Sequence, residues 1–191
     1  MASDLEIKNA LVMSLKGRSL RTGDFVLASG RKSHFYVDGR KLTLSADGAY
    51  LIGEAILAEL GRLGKVDAVG GLTMGADPIV GATLAAAGRG GRPDLLGFLV
   101  RKEAKTYGTG QLVEGPVEPG MNVVILEDVT TTGGSALQAV SAIEAVGCRV
   151  VCVITLLDRL EGAGQAFGDR GIAFKSLVTI RDLGVEPLPS G

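Results

Sequence analysis

Apolar residues along this chain fall into two patterns, short uninterrupted runs and runs at helical spacing. Uninterrupted runs indicate buried strands, and the i, i+3, i+4 spacing indicates helices. We expect strands at residues 68–72, 95–100, 123–126 and 150–157. We expect helices at residues 4–16, 45–63 and 135–146, and another that begins near residue 77 and ends before residue 88. Because strands and helices alternate, we expect an α/β fold with a parallel sheet that helices cover on both faces.

The N-terminal part departs from this alternation. Two short strand-like runs, at residues 25–27 and 35–37, are separated by residues 28–31, which predicts a small hairpin or hood. The first helix is expected to pack through Leu5, Ala10, Val12 and Leu15. A length of 191 residues suits one domain, so we expect residues 1–191 to form a single domain with a hood largely from residues 1–40.

Composition removes several classes of function. The chain has 20 basic and 21 acidic residues, and this balance argues against a nucleic-acid or membrane partner bound by bulk electrostatics. The charged N-terminal segment does not resemble a signal peptide, and no apolar run is long enough to cross a membrane. We therefore expect a cytoplasmic protein. Cys148 and Cys152 are spaced C-x-x-x-C and His34 is the only histidine, so we expect buried thiols and no zinc site.

The strongest candidate site follows the apolar run at residues 123–126. Glu127 and Asp128 come next, and residues 130–135 then supply small hydroxyl side chains and two glycines before a helix begins. Such a loop can turn backbone N–H groups toward a phosphate at the positive end of the helix. Carboxylates before it can accept hydrogen bonds from sugar hydroxyls or hold a divalent cation. The combination favours a ribose phosphate as the ligand.

Less specific interpretations of this segment remain open. A Gly-rich turn between a strand and a helix is a weak signal alone, and the Glu127–Asp128 pair could be a solvated strand end. Neither the P-loop pattern nor the G-x-G-x-x-G pattern of dinucleotide-binding folds occurs in the chain. Residues 103–119 are polar and Gly-rich, and loops of this length are often lids over a site.

Three segments carry a resemblance to a known family. Residues 123–135 resemble the phosphoribosyl-diphosphate signature of type I phosphoribosyltransferases. Residues 28–40 resemble the N-terminal segment of orotate phosphoribosyltransferases, and residues 100–110 resemble their mobile catalytic loop. The resemblance spans nearly the whole chain. It implies a type I phosphoribosyltransferase fold and a Mg2+-dependent reaction in which orotate displaces diphosphate from phosphoribosyl diphosphate, giving orotidine monophosphate for pyrimidine nucleotide biosynthesis.

The resemblance also implies roles for individual residues. Lys102, Lys105 and Asp128 are the implied catalytic residues, and Thr131 and Arg159 are the implied contacts of orotate. The implied contacts of phosphoribosyl diphosphate are Arg101, Lys102, Lys105, Tyr107, Glu127, Asp128, Val129, Thr130, Thr131, Thr132, Gly133, Gly134 and Ser135. Magnesium is implied on the diphosphate side, without an assigned protein ligand. The family further implies a homodimer in which each mobile loop serves the neighbouring site.

The chain departs from the family pattern at three places. Tyr107 stands where many relatives have a histidine, and a tyrosine can donate a hydrogen bond but carries no positive charge. The turn at residues 71–78 lacks a lysine found in some relatives, so Thr73 or backbone groups would serve there. Ala28 stands where some relatives have a lysine, and Lys32 or Arg40 are candidates to compensate.

Two other functions compete with transfer to orotate. One is a phosphoribosyltransferase for another base, but a purine has no carboxylate for Arg159 to bind. The other is a non-catalytic regulator that senses phosphoribosyl diphosphate, which would usually need a nucleic-acid-binding part. For Arg159 the alternative role is that of a surface arginine. For Arg101, Lys102 and Lys105 the alternative is a solvated basic loop.

Overall fold

The computed structural model describes residues 3–26, 30, 32–103 and 111–188. Six α-helices lie in these ranges: α1 (Asp4–Ser14), α2 (Arg40–Thr43), α3 (Ala46–Leu60), α4 (Asp77–Arg89), α5 (Gly134–Ala145) and α6 (Ala163–Gly168). Eight strands accompany them: β1 (Leu20–Val26), β2 (Lys32–Val37), β3 (Ala68–Leu72), β4 (Leu96–Val100), β5 (Val113–Glu114), β6 (Asn122–Thr130), β7 (Arg149–Asp158) and β8 (Ala173–Thr179).

The main sheet has the strand order β5-β4-β3-β6-β7-β8. Its five longer strands are parallel, and the two-residue β5 pairs antiparallel with β4 at one edge. Buried β6 residues alternate between the two faces of the sheet, with Val124 and Leu126 in one hydrophobic cluster and Val123 and Ile125 in the other. This is the α/β architecture that the apolar pattern predicts, with both faces covered.

Different helices cover the two faces. The first cluster contains Leu11 of α1 and Ile56 of α3, and the second contains Ile143 of α5 and Phe167 of α6. Both cysteines are free and buried, as expected. Within the part of the chain that the structure describes, none of the helices combines the length and apolarity that crossing a membrane requires.

The predicted hairpin is present and lies apart from the main sheet. Strands β1 and β2 pair antiparallel, and both are longer than their apolar runs, because the ladder runs from the Leu20–Val37 pair at the open end to the Val26–Lys32 pair near the turn. Phe35 and Val37 join the main core. The packing face predicted for α1 was partly wrong: Leu5 is 67% exposed, whereas Leu11 and Leu15 are buried.

The predicted end of β6 needed correction, and several elements were missed. Strand β6 continues to Thr130 instead of stopping at residue 126, because its ladder with β7 runs on through the polar residues. Glu127 and Asp128 therefore lie within a strand and not after it. The elements α2, β5, α6 and β8 were not predicted, since their short or mixed patterns give no clear period.

Candidate active site

The carboxyl ends of β3, β4, β6 and β7 meet at one edge of the sheet, which is where open α/β sheets bind ligands. The backbone N–H of Arg159 donates to the carbonyl of Thr130 at 2.9 Å, so the segments that leave β6 and β7 start side by side. The turn at residues 73–76 follows β3, and Arg101 and Lys102 follow β4. This edge therefore collects most of the described residues that the sequence predicted to be functional.

Glu127 and Asp128 form a pair of carboxyl groups against the turn after β3. A Cβ built on Gly75 would lie 2.8 Å from Asp128 Oδ1 and 3.2 Å from Glu127 Oε1. Successive strand residues normally point to opposite faces, but Asp128 Oδ1 folds back to accept from the N–H of Val129 at 2.8 Å. The two carboxyls thus converge on one place, as one shared ligand requires.

Burial raises the pKa of Glu127 to about 8, and the adjacent charge of Asp128 and the hydrogen bond between the two side chains add to the rise. Lys102 opposes it by electrostatic attraction. At neutral pH Glu127 therefore favours its protonated form. Glu127 Oε2 is buried and has no hydrogen-bond partner among the described residues, so it can still bond to a hydroxyl group of a ligand.

The loop at residues 130–135, here called the phosphate loop, leads into α5. Gly133 has φ of 86°, and a Cβ there would lie 2.9 Å from Phe167 Cζ, so glycine is required. A Cβ on Gly134 would meet only Thr132 Oγ1, at 3.9 Å, which leaves that side of the loop open. Thr132, Gly134 and Ser135 are exposed, and no side chain caps α5. The first N–H groups of α5 are therefore suited to an anion.

The remaining phosphate-loop side chains differ in exposure. Thr130 is buried, and its Oγ1 has no hydrogen-bond partner among the described residues. Val129 and Thr131 are half-buried on either side of it. Thr130 thus has a hydroxyl without a described partner at the end of the strand that carries the carboxyl pair.

The predicted basic residues after β4 have different surroundings. Arg101 Nε contacts Glu114 Oε1 at 3.1 Å, so its charge is already paired. Lys102 is exposed, acts electrostatically on Glu127, and accepts a hydrogen bond at its carbonyl from Gln138 Nε2 of α5 at 3.2 Å. Lys105 and Tyr107 lie outside the described residues. Lys102 is thus the predicted cation that the structure brings to the carboxyl pair.

Arg159 begins the segment after β7 and is only 6% exposed, so the surface-arginine alternative is wrong. Its guanidinium lies over the ring of Phe35, 4.8 Å from the ring centroid, and Nη2 is 2.7 Å from Glu161 Oε1. The backbone bond to Thr130 places Arg159 next to the start of the phosphate loop, where Thr131 follows. The two predicted orotate contacts are therefore neighbours in space.

Sequence reasoning missed several residues at this edge. A Cβ on Gly39 would lie 2.9 Å from Val129 Cγ2, so the segment after the hairpin packs directly on β6. Gly75, Gln138 and Glu161 also contact predicted site residues. Gly39 and Gly75 lie in segments that the sequence had singled out, at residues 28–40 and 71–78, and Glu161 is an acidic residue two positions after Arg159. Of the proposed compensating cations, Arg40 is paired with Asp38 at 3.1 Å and its charge also interacts with Asp128.

Comparison with known proteins connects this geometry to one family. Residues 46–168 match the family model described as the phosphoribosyl transferase domain. The chain is 49% identical to the orotate phosphoribosyltransferase of Rhodopirellula baltica over 182 residues, which is 93% of this chain and 94% of that protein.

Solved structures give the same result. The orotate phosphoribosyltransferase of Mycobacterium tuberculosis H37Rv in complex with Fe(III) dicitrate superposes with a TM-score of 0.82 at 40% identity, covering 94% of this chain and 99% of that one. The Mycobacterium tuberculosis enzyme in complex with 5-phospho-alpha-D-ribosyl 1-diphosphate superposes with a TM-score of 0.78 at 37% identity, with the same coverage.

Proposed function

This chain belongs to the family of orotate phosphoribosyltransferases, and we propose that it binds both substrates at the carboxyl edge of its parallel sheet. It transfers the phosphoribosyl group of phosphoribosyl diphosphate to orotate, giving orotidine monophosphate and diphosphate in pyrimidine nucleotide biosynthesis. The observation that supports this site most directly is the 2.9 Å bond from Arg159 N to Thr130 O. It sets a buried arginine, suited to a carboxylate, beside a loop suited to a phosphate.

Phosphoribosyl diphosphate would occupy the phosphate loop and the carboxyl pair. Its terminal phosphate would accept hydrogen bonds from backbone N–H groups at the start of α5 and from the hydroxyls of Thr130, Thr131, Thr132 and Ser135. Glu127 and Asp128 would bond to the ribose hydroxyls. The unpartnered Oε2 of Glu127 and Oγ1 of Thr130 support this arrangement, because both are buried polar atoms without an internal partner among the described residues.

Orotate would bind between Thr131 and Arg159. An arginine offers a planar fork of N–H donors that matches a carboxylate, and orotate has one. A purine lacks that group, so burial of Arg159 favours orotate over the alternative of another base. Nε of Arg159 has no hydrogen-bond acceptor among the described residues, which leaves a donor for a substrate.

The remaining charges suit the course of the transfer. As the bond to diphosphate breaks, the sugar carbon becomes cation-like and negative charge grows on the leaving group. The negative charge of Asp128 would stabilise the cation-like sugar carbon. Lys102 and Lys105 would stabilise the negative charge on the leaving diphosphate. Arg101 would share its charge between Glu114 and the diphosphate, and Tyr107 would donate an uncharged hydrogen bond. These roles rest on the family and on the exposure of Lys102 near the carboxyl pair.

The residues at this edge also fit magnesium. Mg2+ keeps several waters and usually takes only one or two protein carboxylates beside substrate phosphates. Among the described residues there is no group of three or more potential metal ligands, which suits an ion held mainly by the substrate. Asp128, the more exposed of the pair, is the candidate protein ligand. Bound magnesium would neutralise charge on the diphosphate.

We further propose that residues 1–191 act as a single domain within a cytoplasmic homodimer. The two thiols, both free and buried, fit a reducing compartment. The family resemblance supports a dimer in which the loop containing Lys105 reaches the partner's site.

The decisive experiment follows the ultraviolet absorbance of orotate with phosphoribosyl diphosphate and Mg2+. We expect orotate to be consumed, and Asp128→Asn to slow its consumption strongly. Adenine, guanine and hypoxanthine should neither react nor compete. Consumption of a purine with orotate unchanged would assign the chain to another base. Binding of phosphoribosyl diphosphate without turnover of any base would instead support a regulator.

A further inference from the structure

Glu161 lies in the segment between β7 and α6 and is buried together with Arg159. The side chains of Arg159 and Glu161 are 7% and 4% exposed, and Nη2 of the first is 2.7 Å from Oε1 of the second. Leu160 between them has φ of 59°, a left-handed conformation that is uncommon for leucine, and its N–H donates to Asp158 Oδ1 at 2.8 Å. This turn brings Glu161 back against the guanidinium.

The guanidinium of Arg159 is held from two directions. The fully buried ring of Phe35 forms its floor, and Glu161 contacts Nη2. A buried arginine without an opposite charge is strongly unfavourable, so Glu161 offsets the cost of removing Arg159 from water. An arginine has five N–H donors, and one carboxylate contact at Nη2 leaves others for a ligand.

Stability alone is a weak explanation for this pair. Well-packed apolar residues often replace a buried ion pair without loss of stability, because desolvation consumes most of the Coulombic gain. What an apolar pair cannot provide is a guanidinium fixed in one orientation. Pre-organised side chains bind more tightly because less ordering remains to be done on binding.

We propose that Glu161 is a positioning residue that holds Arg159 over Phe35, with its remaining donors directed to the carboxylate of orotate. This rests on the proposed contact between Arg159 and orotate. Glu161 acts through Arg159 and has no contact of its own with the substrate. Its loss therefore weakens orotate binding and leaves phosphoribosyl diphosphate binding and the chemical step nearly unchanged.

The test is a double-mutant cycle with Glu161→Leu, Glu161→Gln and Arg159→Ala, measuring kcat and both KM values. Glu161→Leu is expected to raise the KM for orotate about tenfold, within the range that contacting pairs show in such cycles. Glu161→Gln keeps a side-chain oxygen and should restore part of the loss. In the Arg159→Ala background, Glu161→Leu should add no further increase. Glu144→Gln, which removes an exposed carboxylate 3.1 Å from Arg170, is the matched control.

Three results would overturn the inference. Glu161→Leu, or Glu161→Gln if the leucine variant does not fold, could lower only thermal stability and leave the KM for orotate equal to that of the control. The effects of Glu161→Leu and Arg159→Ala could instead add fully. Finally, Arg159→Ala could leave the KM for orotate unchanged. Arg159 would then not contact orotate, and Glu161 would have no such contact to position.

Discussion

Two of the buried acidic residues at the carboxyl edge of the sheet, Glu127 and Glu161, are neutralised in different ways. Glu127 lies beside another carboxyl group, Asp128, and its pKa rises to about 8, so a proton removes its charge. Glu161 lies beside Arg159 at 2.7 Å, so a cation balances its charge. The first arrangement leaves an uncharged oxygen for sugar hydroxyls. The second leaves a positive group for a carboxylate.

The two arrangements also differ in how the chain builds them. The phosphate–ribose half of the site, residues 127–135 with Lys102 and Lys105, comes mainly from one continuous segment. The base half, formed by Phe35, Arg159 and Glu161, joins the hairpin to the end of β7. If the halves are separate in function as well, variants of the first should affect phosphoribosyl diphosphate and turnover. Variants of the second should affect orotate.

The largest expected effect is on the chemical step. Lys105→Ala should lower turnover on the order of a hundredfold to a thousandfold with little change in either KM, because a charge that stabilises the leaving diphosphate acts chiefly in the transition state. Steady-state kinetics at low and high salt measure this, with Lys65→Ala, a highly exposed surface lysine, as control. Unchanged turnover with a weakened, salt-sensitive KM would reduce Lys105 to an attractive surface charge.

A smaller effect is expected from the open side of the phosphate loop. Gly134→Val should weaken phosphoribosyl diphosphate binding by roughly tenfold to a hundredfold, the loss of one hydrogen bond to a charged group, and leave orotate binding unchanged. Calorimetric titration measures both. We expect Gly134→Val to fold, because a Cβ at Gly134 would meet only Thr132 Oγ1, at 3.9 Å. Gly133→Ala is the contrasting variant, because its left-handed backbone should lower the free energy of unfolding by about 1–2 kcal/mol. If Gly134→Val folds and binds phosphoribosyl diphosphate with normal affinity, the phosphate does not bind on this side of the loop.

The phosphate–ribose half could be predicted because its information is local. An apolar run, two carboxylates and a glycine pair occupy consecutive positions, and the predicted start of α5 differs from the observed one by a single residue. What the sequence did not indicate was the burial of Glu127. That burial depends on Gly75, more than fifty positions away, where any side chain would collide with the carboxyl pair.

The base half could be predicted only in part. Family resemblance identified Arg159, but position alone favoured an exposed arginine. Its burial depends on Phe35, a residue of a separate hairpin, and on the left-handed turn at Leu160. Neither the contact with Phe35 nor the turn at Leu160 produces a periodic pattern in the sequence. The packing of α1 failed for a similar reason, since its weak amphipathic pattern did not decide between the face of Leu5 and that of Leu11.

Assembly provides a test within the phosphate–ribose half, in which Lys105 and the carboxyl pair would come from different chains. Mixing Lys105→Ala chains with Asp128→Ala chains should restore part of the activity, because one site of a mixed dimer could combine an intact loop with an intact carboxyl pair. Mixing Lys105→Ala chains with chains that carry both Lys105→Ala and Asp128→Ala is the matched control. There each site would receive a loop without Lys105, so no recovery is expected. Equal recovery in both mixtures, or none where mixed dimers are shown to form, would contradict loops that act across the interface.

The smallest expected effect separates the two ways of neutralising a buried carboxyl. The folded pKa of Glu127, about 8, lies above its ordinary value of 4.5, so between these values the folded state keeps a proton that the unfolded state has lost. Its contribution to stability is complete below pH 4.5 and is lost as pH rises toward 8. Glu127→Gln mimics the protonated group at every pH and removes this dependence.

The free energy of unfolding should therefore fall less steeply with pH in Glu127→Gln than in the unmodified chain, by at most about 1.4 kcal/mol per pH unit between these pKa values. Denaturant titrations followed by circular dichroism, at intervals from pH 4.5 to 9, measure the difference between the two proteins. That difference should grow through the interval and level off above pH 8. Glu144→Gln, at an exposed carboxyl, should leave the slope unchanged. Parallel curves for Glu127→Gln and the unmodified chain would mean that Glu127 is ionised in the folded protein. The contrast between Glu127 and Glu161 would then not hold.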